Sequence, residues 1–328
     1  MNAIQWVRGE LNPRQVTSDD LIYQQQESQS NHSLPIIYEP FNAKKRTHWR
    51  DRGATFDFLA AAGDGRLLDL GPGDGWPSLT LAPLVGSVTG VDASDRRTQV
   101  CLANAQRMGI FNFRATTVPA GQPLPFADES FDGAVAASAI EQTPNPRATL
   151  QELHRVLRPG GHLRIWYESV AKYRGGQEQD LTGWSLDAYN AYLLLADRRV
   201  DEERMTYYGL RIAAPIAKVE EQLGLLAIDR LTPARLEELR PLIVDAAQTS
   251  LALPGCRTFM TWLREAGFRT VTPTYWGGWF AERLYESLGP DRRPHELADL
   301  DRLLRPTVSV AVQMEAPVRL DPPITAVK

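Results

Sequence analysis

From residue 66 to 168 short apolar runs alternate with helical patterns, and that rhythm restricts the fold more than any other feature of the chain. RLLDLG, SVTGVDA, FRATTVP, SFDGAVAAS and HLRIWYE read as strands. WPSLTLAPLV, DRRTQVCLANAQRMG and PRATLQELHRVLRPGG read as the helices between them, with Pro77 tolerated in a first turn and glycine stops at Gly109 and Gly160. Such alternation predicts an α/β fold, a parallel sheet with helices on both faces. A helical pattern over residues 38–62 precedes it.

The rhythm stops at residue 169. SLDAYNAYLLLADRR, APIAKVEEQLGLLAIDR and PARLEELRPLIVDAAQ read as helices, so residues 169–253 are expected to form a helical insertion serving as a substrate lid. Alternation then resumes: CRTFMTWLREAGF (helix), FRTVTPTYW (strand), WFAERLYESL (helix) and PTVSVAVQME (strand). One main domain is expected from residues 36–168 with 254–316. Residues 1–35, with their polar QQQESQSNHS, are expected to be weakly ordered, and the Pro-rich tail 317–328 irregular.

LLDLGPGDGWPS places Gly71, Gly73 and Gly75 directly after the first apolar run. A glycine turn between strand and helix brings backbone N–H groups close to a ligand, and dinucleotides and S-adenosylmethionine both use it. The dinucleotide pattern G-x-G-x-x-G needs its third glycine for close helix–strand packing. Trp76 stands there, which disfavours a nicotinamide oxidoreductase. Asp92 ends the second strand, where a carboxylate accepts from a ribose diol. Both ligand classes carry that diol.

LLDLGPGDG, TGVDAS and LPFADESFDGAVAASAIEQTPNPRATLQELHRVLRPGGHL together resemble the class I S-adenosylmethionine-dependent methyltransferases of small-molecule type, the group of the ubiquinone and menaquinone biosynthesis enzymes. The resemblance covers residues 66–168 and extends loosely to AGF at 266–268. It implies a Rossmann-like, seven-stranded, mostly parallel sheet whose last strand, PTVSVAVQME, is antiparallel. It implies S-adenosylmethionine as cofactor and a small organic molecule as methyl acceptor through oxygen, nitrogen or carbon. By the same resemblance Asp69 holds the methionine amino group, and Gly71 and Gly73 meet the methionine moiety. Asp92 binds ribose, Ala93 lies against adenine, and Ala120 and Gly121 meet the adenine edge. Ser138 flanks the transfer site, and Tyr38 reaches the methionine carboxylate. The sequence departs from the family at Ala120, where an acidic residue is common, and at Gln142, where histidine is common.

Methyl transfer is an in-line displacement that positioning and desolvation can drive, and a base is needed only if the nucleophile must lose a proton. His48, in the helical stretch before the first strand, and Glu141 are the candidate bases. Gln142, Trp166 and Tyr167 are candidate substrate contacts. Tyr173, Trp184, Tyr189, Tyr192, Tyr207 and Tyr208 read as lid core. His154 and His162 read as structural, His32 and His295 as solvated.

Composition removes other classes. Lys plus Arg number 36 against 40 Asp plus Glu, a net charge of −4, with no dense basic run. That disfavours nucleic acid, and with it an RNA methyltransferase. Cys101 and Cys256 stand far apart, giving no disulfide framework, no metal motif and no three-thiolate arsenite site. No His/Asp cluster suggests a metal. With no signal peptide and no apolar stretch long enough for a membrane span, a cytoplasmic chain is expected. A protein that binds S-adenosylmethionine or S-adenosylhomocysteine without turnover, as a regulator or partner, fits the same motifs. No interface signature indicates an oligomeric state.

Overall fold

The computed structural model describes residues 1–23, 25, 38–170, 178–224 and 226–328. They divide into two compact units: residues 32–168 with 255–328, and residues 1–31 with 169–254.

The larger unit holds a seven-stranded sheet. Its strands are β1 Arg66–Leu70, β2 Ser87–Asp92, β3 Phe113–Thr117, β4 Phe131–Ala137, β5 Leu157–Trp166, β6 Thr270–Pro273 and β7 Ile324–Val327. Their order across the sheet is β6-β7-β5-β4-β1-β2-β3. β1 to β5 are parallel, and β7 runs antiparallel to both β6 and β5. The helices are α1 Arg46–Ala62, α2 Ser78–Leu81, α3 Asp95–Arg107, α4 Pro146–Val156, α5 Cys256–Glu265, α6 Gly277–Ser287 and α7 Leu297–Ala311. α3 and α4 begin where Ser94 and Asn145 accept backbone N–H groups of their first turns, the usual remedy for orphan helix donors.

Strand alternation divides the core. Leu68, Leu70, Ala134, Ala136, Leu163 and Ile165 pack with α4 and α5, while Leu67, Val88 and Val135 pack with α1, α2, α3, α6 and α7. The period of two sends consecutive side chains of β5 to opposite faces. Arg164 and Trp166 therefore stand on the α1 side, and Ile165 and Tyr167 on the α5 side.

Arg164 is wholly buried and forms a two-pronged pair with Asp57 of α1, Nε to Oδ1 at 2.8 Å and NH2 to Oδ2 at 2.7 Å. Its remaining donors reach Thr274 Oγ1 (2.6 Å), Thr325 Oγ1 (3.0 Å) and the Tyr275 carbonyl (3.3 Å). Asp57 Oδ2 also accepts the Gly277 N–H at 2.8 Å. One guanidinium thus ties together α1, β5, β7 and the segment joining β6 to α6. Two charges leave water at a cost of several kcal/mol each, and this dense set of partners offsets it.

Several expectations need correction. PTVSVAVQME is not a strand. Most of it lies in α7, where Leu300, Leu304, Val308 and Ala311 form one buried helical stripe despite Pro306 within the helix. The β-branched residues favour a strand locally, but the stripe's burial decides. The antiparallel strand is instead Ile324–Val327, inside the tail expected to be irregular.

The insertion is not helical. Strands Gln179–Ser185, Ala191–Arg199, Arg204–Ile212 and Ile243–Ala252 form an antiparallel meander, and Arg14–Gln15 adds a short parallel edge. In Ala191–Arg199, Leu193 and Leu195 enter one cluster while Tyr192 and Leu194 enter another. With both faces covered the polar alternation disappears, and a buried strand then resembles a helix in sequence. Among the described residues of the insertion the α-helices are Ile216–Leu223 and Pro233–Leu239.

The first residues are ordered, contrary to expectation: Ala3–Trp6 and Val7–Leu11 are helical, and Ala3, Ile4, Trp6 and Val7 are buried in this smaller unit's core. Residues 24 and 26–35, with His32, and Tyr173 lie outside the described residues. Trp184, Tyr192 and Tyr208 are buried among these strands, whereas Tyr189 is exposed on a turn.

Candidate functional site

The glycine turn lies at the carboxyl end of β1. Gly71, Gly73 and Gly75 all have positive φ, at 74°, 57° and 123°. A Cβ on Gly71 would stand 2.6 Å from Ala139 Cβ, and one on Gly75 would stand 2.4 Å from Leu79 and 2.9 Å from Tyr38 Oη. Glycine is required here for conformation and for space. The Gly73 N–H donates to Asp92 Oδ2 (3.0 Å) and the Ser94 N–H to Oδ1 (3.0 Å), so Asp92 braces the turn. Each oxygen keeps accepting capacity for a further donor. Gly71, Pro72, Gly73, Asp74, Trp76, Arg97 and Val100 enclose a cavity of about 310 Å³.

Two buried polar atoms at this turn have no hydrogen-bond partner. Asp69 is fully buried; its Oδ2 accepts the Ser78 hydroxyl at 2.7 Å, while its Oδ1 accepts nothing. Burial pushes the Asp69 carboxyl up to about 7, with the Asp92 charge adding to the rise and the Ser78 bond opposing it. Tyr38 Oη is likewise buried and unpartnered, and burial raises its pKa, helped by the charges of Asp74 and Asp69, so the hydroxyl keeps its proton. Orphaned buried groups cost about 1–3 kcal/mol each, and a ligand donor or acceptor recovers that. A cationic amino group suits Asp69 Oδ1, and an anionic oxygen suits the Tyr38 hydroxyl. The site therefore fits a zwitterionic ligand end.

Ser138, just past β4, holds φ 51° without being glycine, and its N–H donates to the Trp166 carbonyl at 2.7 Å. That left-handed backbone costs about 1–2 kcal/mol. Ser138→Val should lower the unfolding free energy by a similar ~1–2 kcal/mol in urea titration, because β-branching worsens positive φ. Ser138→Gly should match or exceed the wild type.

The other predicted residues are only partly gathered here. Ala93 follows Asp92 and is half-buried, and Ala120 and Gly121 sit on the loop after β3, with Gly121 at φ 83°. Glu141 is no solvated loop carboxylate: it is fully buried, and Oε1 accepts the Glu168 N–H at 2.7 Å, tying the turn after β4 to the end of β5. Gln142 is half-buried in that same turn. His48 is buried in α1, its Nδ1 accepting the Asn42 N–H at 3.1 Å, and burial holds its pKa below the ordinary value. His48 is not among the residues enclosing the cavity. Tyr167 packs on Phe259 of α5 at 4.9 Å, on the sheet face opposite Trp166. His154 and His162 take structural contacts with Phe268 and the Ala61 carbonyl, and His295 is exposed.

Sequence reasoning named Trp166 as a candidate substrate contact but missed the indole cluster it forms with Trp76 and Trp276. Trp76, Trp166 and Trp276 are half-buried and adjoin one another, at 5.3 Å between the first pair and 4.5 Å between the second. Phe58 stands beneath Trp76 and Trp166 at 5.6 and 6.3 Å. Trp276 lies 110 residues beyond Trp166, and no local pattern links them. Among the described residues no group of His, Cys, Asp and Glu could hold a metal, and no helix is long and apolar enough to cross a membrane.

Residues 68–165 match the family model described as a methyltransferase domain. A demethylmenaquinone methyltransferase of Tropheryma whipplei is 34% identical over 118 residues, 36% of this chain and 47% of that one. Sterol methyltransferase-like 1 of Botryococcus braunii is 34% identical over 108 residues, 33% of this chain and 28% of that one. The crystal structure of the YcgJ protein of Bacillus subtilis shares 30% identity over 35% of this chain and 49% of its own, with a TM-score of 0.33. The chain thus spans less than half the length of these curated relatives. The matched stretch carries the glycine turn, Asp69, Asp92 and Ser138, so residues 68–165 are similar to a methyltransferase domain.

Proposed function

We propose that the chain transfers a methyl group from S-adenosylmethionine to an oxygen, nitrogen or carbon nucleophile of a small organic molecule. The observation that carries this is Asp69 Oδ1, a buried carboxylate oxygen without a partner beside a turn that only glycine can form. It takes the methionine ammonium. Gly71 and Gly73 admit the methionine chain, and Tyr38 donates to its carboxylate. Asp92, already holding the turn, accepts from the ribose hydroxyls. Ala93, Ala120 and Gly121 border the adenine, and Ser138 flanks the transfer point beside Trp166.

S-adenosylmethionine, held by these residues, would supply an electrophilic methyl carbon whose bond to sulfur would break, with its electron pair on sulfur, as the acceptor bonds to the carbon. The protein's share is alignment and exclusion of water. Glu141 is engaged by the Glu168 N–H, and the His48 Nδ1 by the Asn42 N–H. Neither is needed for an acceptor that ionises readily or is already nucleophilic, and its proton then passes to water.

Calorimetric titration with S-adenosylmethionine, S-adenosylhomocysteine and NAD tests the reading. The expected result is micromolar binding of the two adenosyl ligands and none of NAD, with Asp92→Ala weakening binding at least tenfold. Saturable NAD binding, or no adenosyl binding, overturns it. Binding without turnover over a broad acceptor panel would favour the non-catalytic alternative.

A further inference from the structure

We propose that Trp76, Trp166 and Trp276 form the docking face for the methyl acceptor, and that this acceptor is flat and aromatic or conjugated. The inference rests on the function proposed above. It begins with position. Trp76 helps enclose the cavity at the glycine turn and also meets Trp166, so the indole surface starts where the cofactor cavity ends. Ser138, in its strained conformation, is bonded to the Trp166 backbone at the same place.

Shape and chemistry come next. The indole planes are tilted by 43° and 56° to their neighbours, and all three residues are half-buried: Trp76 and Trp166 pack on the core, and each of the three keeps part of its surface exposed. Phe58, 1% exposed, is the core residue on which the cluster rests. Aromatic faces and edges attract another flat ring by offset and edge-on contacts that a saturated ring of equal volume cannot reproduce. The Trp276 Nε1–H is buried and makes no hydrogen bond. It is a donor awaiting an acceptor atom on the ligand, so a ring bearing a hydroxyl or carbonyl oxygen suits it.

The wall is also held in place. Asp57 precedes Phe58, Arg164 shares its strand face with Trp166, and Tyr275 and Gly277 flank Trp276; all four belong to the buried ion-pair network. The pair fixes the backbone on both sides of the rings. Asp57 and Arg164 are therefore positioning residues for this surface.

The test is fluorescence titration of the full chain with 2-naphthol and, as the saturated counterpart, decahydro-2-naphthol, each with and without S-adenosylhomocysteine. Indole fluorescence reads the first; competition against it reads the second. The expected result is saturable quenching by 2-naphthol at an affinity at least tenfold above that of the saturated alcohol. Trp276→Leu and Trp166→Leu should each weaken 2-naphthol at least tenfold while S-adenosylhomocysteine affinity stays within twofold. Trp276→Phe, which keeps a flat ring and loses the N–H, should fall between. Equal affinity for the two alcohols overturns the proposal, as does 2-naphthol binding that the Leu variants leave unchanged. The wild-type comparison decides even where a variant does not fold. The S-adenosylhomocysteine arm separately decides the cofactor reading.

Discussion

Arg164→Met should lower the unfolding free energy by about 3–5 kcal/mol, because it leaves Asp57 charged, buried and without its cation. That is a large part of the roughly 5–15 kcal/mol available to a typical domain. The measurement is urea unfolding of the larger unit, followed through its tryptophans. Asp57→Leu combined with Arg164→Met should recover most of the loss, since a well-packed apolar pair of similar volume often equals a buried ion pair. The Asp57 oxygens also accept the Gly277 N–H, and Arg164 donates to the Tyr275 carbonyl. Full recovery is therefore not expected, for those backbone groups would remain unpaired. A single variant within 1 kcal/mol of wild type, roughly the net worth of one hydrogen bond, would mean the pair is solvated in solution.

Asp69→Asn should move ligand affinity and stability in opposite directions. Asparagine keeps the shape and can still accept the Ser78 hydroxyl, but it cannot hold an ammonium group as a charged partner. The loss of a charge-assisted bond of about 1.5–3 kcal/mol predicts roughly 10- to 150-fold weaker S-adenosylhomocysteine binding. Burial raises the folded-state carboxyl to about 7 from 3.8. Between those values the folded chain holds a proton that the unfolded chain has released. Stability linked to this group is thus present below pH 4 and is lost as pH rises towards 7. Without ligand, Asp69→Asn should be more stable than wild type at pH 8, and the advantage should shrink towards pH 4. Wild-type affinity should rise by up to tenfold per pH unit below 7 and level above it, because only the carboxylate binds the ammonium. The Asn variant should show no such slope. A variant that loses both affinity and stability at pH 8 would indicate simple disruption of the turn.

The parallel sheet was legible because its signals are local. Three glycines follow an apolar run, Asp92 closes the next strand, and Ser94 and Asn145 cap helices within a few residues of the strands before them. The candidate site was legible only as a neighbourhood, with Asp69, Gly71, Gly73 and Asp92 brought together by short βα connections. What escaped depends on distant partners. Ala191–Arg199 reads as a helix because both its faces are buried, and only its cross-strand neighbours reveal the strand. In α7, Val308 carries strand propensity, yet its burial beside Leu304 decides otherwise. Trp276 meets Trp166 through the ion pair of Asp57 and Arg164, whose members lie 107 residues apart.

The placement of β7 has a consequence for how the chain is made. Ile324–Val327 lies between β6 and β5 and pairs with both, while its backbone neighbour Lys328 exchanges hydrogen bonds with Gly160 and Gly161. During synthesis β5 emerges some 160 residues before the strand that covers it. Until then the nascent sheet presents a bare edge at β5 over His162–Ile165, the residues that β7 pairs. Such edges recruit other strands. Arrival of Ile324–Val327 is thus the event that covers this edge and leaves the four-residue β6 outermost, and a chain in which it has not yet paired is inclined to pair with a neighbour.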